Sequence, residues 1–211
     1  NLARKRPLKE GGVGITAKAG SWDRYAAQVD GSGALNAEGT LRGRAVVDVE
    51  DEHSFIDYVN RRNTTLYGAL EYDLSAQTQL SLGASHESFK GRPFISGLPR
   101  YSDGRDIALP RSTYLGASWN RQDSSTQTLY ADLSHQFNEH WRAKVSAIHV
   151  EEDVYLKYAS SQRAVAAATG LGGTVANITA PTQKAPATDA TLTGASTPGG
   201  PPPEGGTATA Y

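Results

Sequence analysis

The residues best equipped for chemistry gather in one connection, residues 89–125, which carries Arg92, Phe94, Arg100, Tyr101, Arg105, Arg111, Tyr114, Trp119 and Arg121. Guanidinium groups and flat aromatic faces supply charge and cation–π contact, so the stretch is suited to holding a ligand rather than transforming one. A structureless connection longer than about 12 to 15 residues is usually functional or disordered, which makes this one the first candidate for ligand contact. The competing reading is that these side chains hold the connection together.

Catalytic chemistry finds no comparable support. Cysteine is absent, which removes thiolate metal sites, disulfides and Cys nucleophiles together. The run His149-Val150-Glu151-Glu152-Asp153 has ligand-type side chains but no second cluster and no known ligand spacing, so it reads as a charged strand end, and no metal site is expected. No metalloprotease His pairing, phosphate-binding Gly loop or Gly-x-Ser-x-Gly elbow occurs, so enzymatic activity has no sequence support. A formal net charge of −1 gives no broad pull toward nucleic acid.

The elements that must carry the long connection show period two. In 127–137, Leu129, Ala131, Leu133 and Phe137 share one face with the lone polar His135, opposite Tyr130, Asp132, Ser134 and Gln136. Residues 65–74 set Leu66, Gly68, Leu70, Tyr72 and Leu74 against Tyr67, Ala69, Glu71 and Asp73. Segments 41–50 and 25–35 repeat the rule, and 13–21, 79–87 and 141–150 follow with weaker contrast, giving about seven strands. Each runs close to the roughly 9 to 11 residues of a tilted membrane-crossing strand, against about 5 to 6 in globular sheets.

Connections alternate in length. Asn36-Ala37-Glu38-Gly39, Ser75-Ala76-Gln77 and Asn138-Glu139-His140 are tight turns, whereas 51–62 and 89–125 are long. Aromatic Tyr72, Phe137 and Trp141 stand where strands meet the short turns, as an interfacial girdle requires. No apolar run approaches the roughly 18 residues of a membrane helix. These features predict an all-β chain: a partial transmembrane antiparallel β-barrel, about seven strands of a larger barrel forming an open curved sheet, with a disordered C-terminal tail. Methionine is absent even at position 1, so the expectation is a fragment of a longer product.

Several motifs then carry a family resemblance. Asn1-Leu2-Ala3-Arg4-Lys5-Arg6-Pro7, Gly20-Ser21-Trp22-Asp23-Arg24-Tyr25, Leu41-Arg42-Gly43-Arg44 and Tyr67-Gly68-Ala69-Leu70-Glu71-Tyr72-Asp73-Leu74 stand in order. Gly97-Leu98-Pro99, Tyr101-Ser102-Asp103-Gly104 and Leu109-Pro110-Arg111-Ser112-Thr113 follow them. Across roughly residues 1 to 158 the chain resembles TonB-dependent ferric-siderophore receptors of the bacterial outer membrane. The resemblance implies a plugged barrel of about 22 strands, divided here into 1–11 (plug end and linker), 12–158 (first barrel strands) and 159–211 (an Ala/Thr/Gly/Pro-rich loop or tail). The sequence departs from the family in lacking most of the plug, the TonB-contacting segment and the later strands.

What the resemblance further implies is uptake of a ferric siderophore energised through TonB, with iron arriving inside the ligand and no cofactor of the protein's own. Ferric siderophores are often anionic or aromatic, which suits Trp22, Arg92, Phe94, Arg100, Tyr101 and Trp119 as contacts; Trp22 has interfacial anchoring as its alternative. Loop cations also suit lipopolysaccharide phosphate, which with outer-membrane lipid completes the expected partners. Arg42, Arg44, Asp48, Glu50, Glu71 and Asp73 are expected to face the lumen and pair with plug residues. Two other functions fit parts of the pattern: a passive porin-like barrel, against which the 1–7 segment argues, and a soluble extracellular β-sheet module for adhesion, which would fold in water without detergent.

Overall fold

The computed structural model describes residues 4–94 and 97–161, together with the backbone of strands 174–179 and 187–194. Seven long strands follow one another: β1 (Gly12–Gly20), β2 (Arg24–Ala34), β3 (Leu41–His53), β4 (Asn60–Asp73), β5 (Thr78–Arg92), β6 (Arg121–Gln136) and β7 (Arg142–Ser161). Each pairs antiparallel with the next, so the order in the sheet is the order in the chain. Two short strands, β8 (Thr174–Thr179) and β9 (Ala187–Gly194), both pair with β7. They fall in the segment expected to be a disordered tail, into which β7 also extends by residues 159–161; the rest of that segment lies outside the described residues.

The expected strands are present, and the later ones run further than the alternation showed. The connection expected over 51–62 shrinks to residues 54–59, and that over 89–125 to residues 93–120. The extra length is added at the long-loop end, where polar runs such as Gln122-Asp123-Ser124-Ser125-Thr126 carry no period-two contrast yet hold the ladder.

The two faces of the sheet reverse the arrangement of a globular protein. Large apolar side chains are the exposed ones: Val29, Val47, Val49, Leu66, Leu70, Leu82, Leu129, Leu133 and Val145. The opposite face contains most of the buried strand residues, and most of these are not apolar: Arg42, Glu71 and Asp132 are buried beside Val46 and Ala69. A face of exposed Leu and Val backed by a buried ionic face is stable only if hydrocarbon covers the former.

Cross-strand registers place the outward residues in rows, and the apolar band crosses those rows obliquely. Val49, the last apolar outward residue of β3, heads a row that runs through Thr64, Ser88 and Ser125 to Asp153 on β7. On β7 the outward apolar series ends at Ala147, six residues below Asp153. Six residues at ~3.4 Å over four strand spacings of ~4.8 Å correspond to a slope of about 45°, near the tilt of strands in outer-membrane barrels. The lower edge descends in the same sense, from Tyr72 on β4 to Phe137 and Trp141 at the β6–β7 turn. A sheet tilted by this angle in a horizontal hydrocarbon layer produces both slopes.

Candidate functional site

On the inner face, residues 4–8 run across the barrel wall as a strap. Arg4 forms an ion pair with Asp132 of β6 at 2.9 Å, Arg6 with Glu71 of β4 at 2.5 Å, and Lys5 with Asp30 of β2 at 2.8 Å. The strap backbone is held as well: Tyr67 donates its hydroxyl to the Lys5 carbonyl at 2.5 Å, Arg44 donates to the Arg6 carbonyl at 2.9 Å, and the Leu8 amide donates to Ser32 Oγ at 2.8 Å. Beneath it Arg42 is bidentate to Asp73, at 2.5 and 2.7 Å, and lies 3.5 Å from Glu71. Such charges are tolerated in burial because each meets an opposite charge or a hydrogen-bond partner.

One glycine makes the strap's seat possible. Gly83 faces Tyr130 across the β5–β6 ladder, and a Cβ there would stand 2.1 Å from Tyr130 Cζ. Without that Cβ, the Tyr130 ring lies against the sheet, its hydroxyl 2.8 Å from that of Tyr67, and Arg4 stacks 3.9 Å above its centroid.

At the long-loop end, the sequence-predicted residues fall into separate groups. Phe94 joins Tyr58 and Tyr114 in an aromatic cluster, with centroids 6.1 Å (Phe94–Tyr114) and 5.8 Å (Tyr58–Tyr114) apart. Arg92 lies 5.7 Å over the Tyr58 ring and donates to the Tyr58 carbonyl at 3.3 Å. Burial pushes the Tyr114 hydroxyl above its ordinary pKa, so it stays a neutral donor, to the Pro93 carbonyl at 3.3 Å. Trp22 packs 6.0 Å from Phe55, whose ring also carries Arg111 at 5.3 Å. The Asp57 amide donates to the Ser112 carbonyl at 2.8 Å, which ties the 54–59 and 93–120 loops together.

Arg100 and Tyr101 sit in a small turn of their own. The backbones of Arg100 and Asp106 pair as an isolated antiparallel β-bridge, the Tyr101 amide donates to the Arg105 carbonyl at 3.0 Å, and Arg105 lies 5.4 Å over the Tyr101 ring. Gly104 closes the turn with φ +86°, a conformation that favours glycine. Trp119 is placed on the outward side, 4.9 Å from Lys157 Nζ and lining a concavity with Arg92.

Sequence reasoning did not single out Tyr58 or Phe55, which lie in the shorter loop and complete the two aromatic groups. It also missed Asn120. Its side-chain amide donates to the Ala159 carbonyl at 3.2 Å and accepts from the Ala159 amide at 2.8 Å, continuing the β6–β7 ladder one step with a side chain. Nothing local marks an Asn for that role; its partner is far away in the chain.

Apolar-out strands and an ionic inner wall crossed by a strap define the wall of an outer-membrane β-barrel. No protein-family model matches the chain. Whole-sequence comparison is decisive instead. The chain is 43% identical over 165 residues to the ferric-pyoverdine M114 receptor PbuA of Pseudomonas sp. strain M114, covering 78% of this chain and 20% of that protein. It is 38% identical over 152 residues to the ferripyoverdine receptor of Pseudomonas aeruginosa, covering 71% of this chain and 19% of that one. The crystal structure of the P. aeruginosa outer-membrane ferripyoverdine receptor bound to ferripyoverdine superposes with a TM-score of 0.75 at 30% identity, over 90% of this chain and 25% of that one. The chain belongs to the TonB-dependent siderophore receptors of the outer membrane and spans about a fifth of the length of the curated relatives it matches.

Proposed function

We propose that the receptor carrying this segment imports a ferric pyoverdine across the outer membrane, energised through TonB, with iron entering as part of the ligand. The observation that carries this reading is the pairing of the 43% identity to a ferric-pyoverdine receptor with aromatic and cationic groups at the loop end of the sheet. The Phe94 cluster and the Tyr101 turn offer rings and guanidinium groups to an anionic, partly aromatic chelate. Trp22, Phe94, Arg100 and Tyr101 are the contacts proposed from this segment. Arg92 and Trp119 support the loop from its outward side. The short turns belong to the periplasmic end, where TonB acts, and the outward face belongs to lipid and lipopolysaccharide.

The test is uptake of radiolabelled iron by the whole receptor in an iron-starved strain lacking its other receptors. Uptake from ferric pyoverdine supports the reading, and Phe94→Ala and Tyr101→Ala are each expected to weaken ligand binding by about five- to tenfold. Absence of uptake from every ferric chelate supplied, by a receptor present and folded in the membrane, would sink it.

A further inference from the structure

The turn at residues 100–106 is closed on itself. Arg100 donates to the Gly104 carbonyl at 3.3 Å, the Gly104 amide donates to the Tyr101 carbonyl at 2.9 Å, and the Arg105 guanidinium pairs with Asp103 at 2.8 Å. These bonds begin and end inside the turn, so they fix its shape but not where it stands. Its place is set by its two stems, and both are short: Arg100 follows Phe94 by six positions, and Asp106 precedes Arg111 by five. Each stem spans at most about 20 Å. Whatever holds Phe94 and Arg111 therefore holds the turn.

Both stems rest on the 54–59 loop. Arg111 and Ser112 are the central residues of a β-turn closed by the Thr113 amide on the Pro110 carbonyl at 2.9 Å. Arg111 lies over the Phe55 ring, and the Ser112 carbonyl accepts from the Asp57 amide. On the other stem Phe94 meets Tyr114, whose ring rests on Tyr58. Tyr114 is seated by Gly116, where a Cβ would stand 2.4 Å from Tyr114 Cζ. The footing is itself closed: the Ser54 amide donates to the Val59 carbonyl at 3.0 Å, and the Ile56 amide donates to Ser54 Oγ at 3.2 Å.

Backbone conformation singles out Tyr58. It holds φ +66°, a left-handed conformation that glycine takes freely and an aromatic residue rarely adopts. Strain of this kind persists where the surroundings require it. Here it sets the Tyr58 ring against Tyr114 and beneath Arg92, and turns the Tyr58 carbonyl toward the Arg92 guanidinium. Glycine at this position would relieve the strain and remove the footing.

We propose that Phe55 and Tyr58 are positioning residues for ligand capture: they hold the 100–106 turn where a ferric chelate meets it, acting through Arg111 and Tyr114 and not on the chelate. The inference rests on the import reading, which supplies the ligand.

The test uses the whole receptor in detergent with a nitroxide label on L98C, in the stem between Phe94 and Arg100 and outside the proposed ligand contacts. Label mobility is recorded without ligand, and ferric-pyoverdine affinity is measured on the same samples. F55A/Y58A is expected to mobilise the label and to weaken ferric pyoverdine by about tenfold, because the turn must then be ordered on binding. F55Y/Y58F keeps both rings and is expected to restore the wild-type spectrum and affinity. In cells, F55A/Y58A is expected to raise the half-saturating ligand concentration by about tenfold and to change uptake at saturation by less than about twofold. Electrophoresis of unheated samples verifies that each variant is a folded barrel. Three results overturn the inference: weakened binding with an ordered label, which would make the rings ligand contacts; a mobile label with wild-type binding; or F55Y/Y58F binding as weakly as F55A/Y58A. A wild type that binds no ferric pyoverdine overturns the import reading and the inference with it, whereas those three results in a receptor whose wild type binds overturn the inference alone.

Discussion

The inner and outer faces of β3 and β4 are built from alternate residues of the same strands, yet they obey opposite rules. Inward, buried Arg42 and Glu71 form an ionic group with half-buried Asp73 under the strap. Outward, Leu41, Ala45, Val47, Leu66 and Leu70 make no comparable partnership and stand exposed or half-exposed. On the inner face stability comes from specific partners, so a single deletion leaves charges stranded. On the outer face it comes from a surrounding medium, so what matters is the height of a residue and not its neighbours.

The largest expected effect lies inside. Arg42→Ala leaves Glu71 and Asp73 facing each other without their shared cation, and removing one partner of a buried pair costs about 3 to 5 kcal/mol. Reversible urea unfolding of the whole receptor in lipid vesicles measures this, and a loss below 1 kcal/mol would mean that water reaches the group freely.

The outer face is probed by placing the same charge twice in one cross-strand row. Ala45 and Leu129 share a row through Gly68 and Ala84, but Ala45 lies mid-band on β3 whereas Leu129 is at the band's upper edge on β6. Ala45→Arg is expected to cost about 2 to 4 kcal/mol and Leu129→Arg about 0 to 1. Equal costs in the same unfolding assay would show that the hydrocarbon edge follows the rows and that the slope inferred from the sequence is wrong.

The smallest effect belongs to the wet upper rim. Arg62 and Asp51 form an exposed ion pair, so Arg62→Ala should change stability by only about 0 to 1 kcal/mol. A loss comparable to that of Arg42→Ala would erase the contrast between paired interior and solvated rim.

These two rules also explain what could be read from the sequence. Period two identifies strands only where the faces differ, as in 65–74 and 127–137, and there it located the membrane-crossing parts of the sheet. Above the band both faces are wet, the pattern vanishes, and Asp51, Arg62, Phe89 and Ser124 looked like loop although they belong to the ladder. The site was legible as a concentration of Arg and aromatic residues. Its division was not, because the outward placement of Arg92 depends on register with Asn60, and the Phe94 cluster draws Tyr58 from another loop. Inward-facing Glu71 was visible as an acid on the polar face, but its partner Arg6 is 65 positions away and becomes its neighbour only through the fold.

The seat beneath the strap has a consequence for how such chains diverge. Gly83, Tyr130 and Arg4 fit as a ring laid over a missing Cβ with a guanidinium on top, so no one of them can change size without disturbing the other two. Among related barrels these positions should be exchanged as a set: a side chain at 83 accompanied by a smaller residue than Tyr at 130, and position 4 freed from carrying a planar cation.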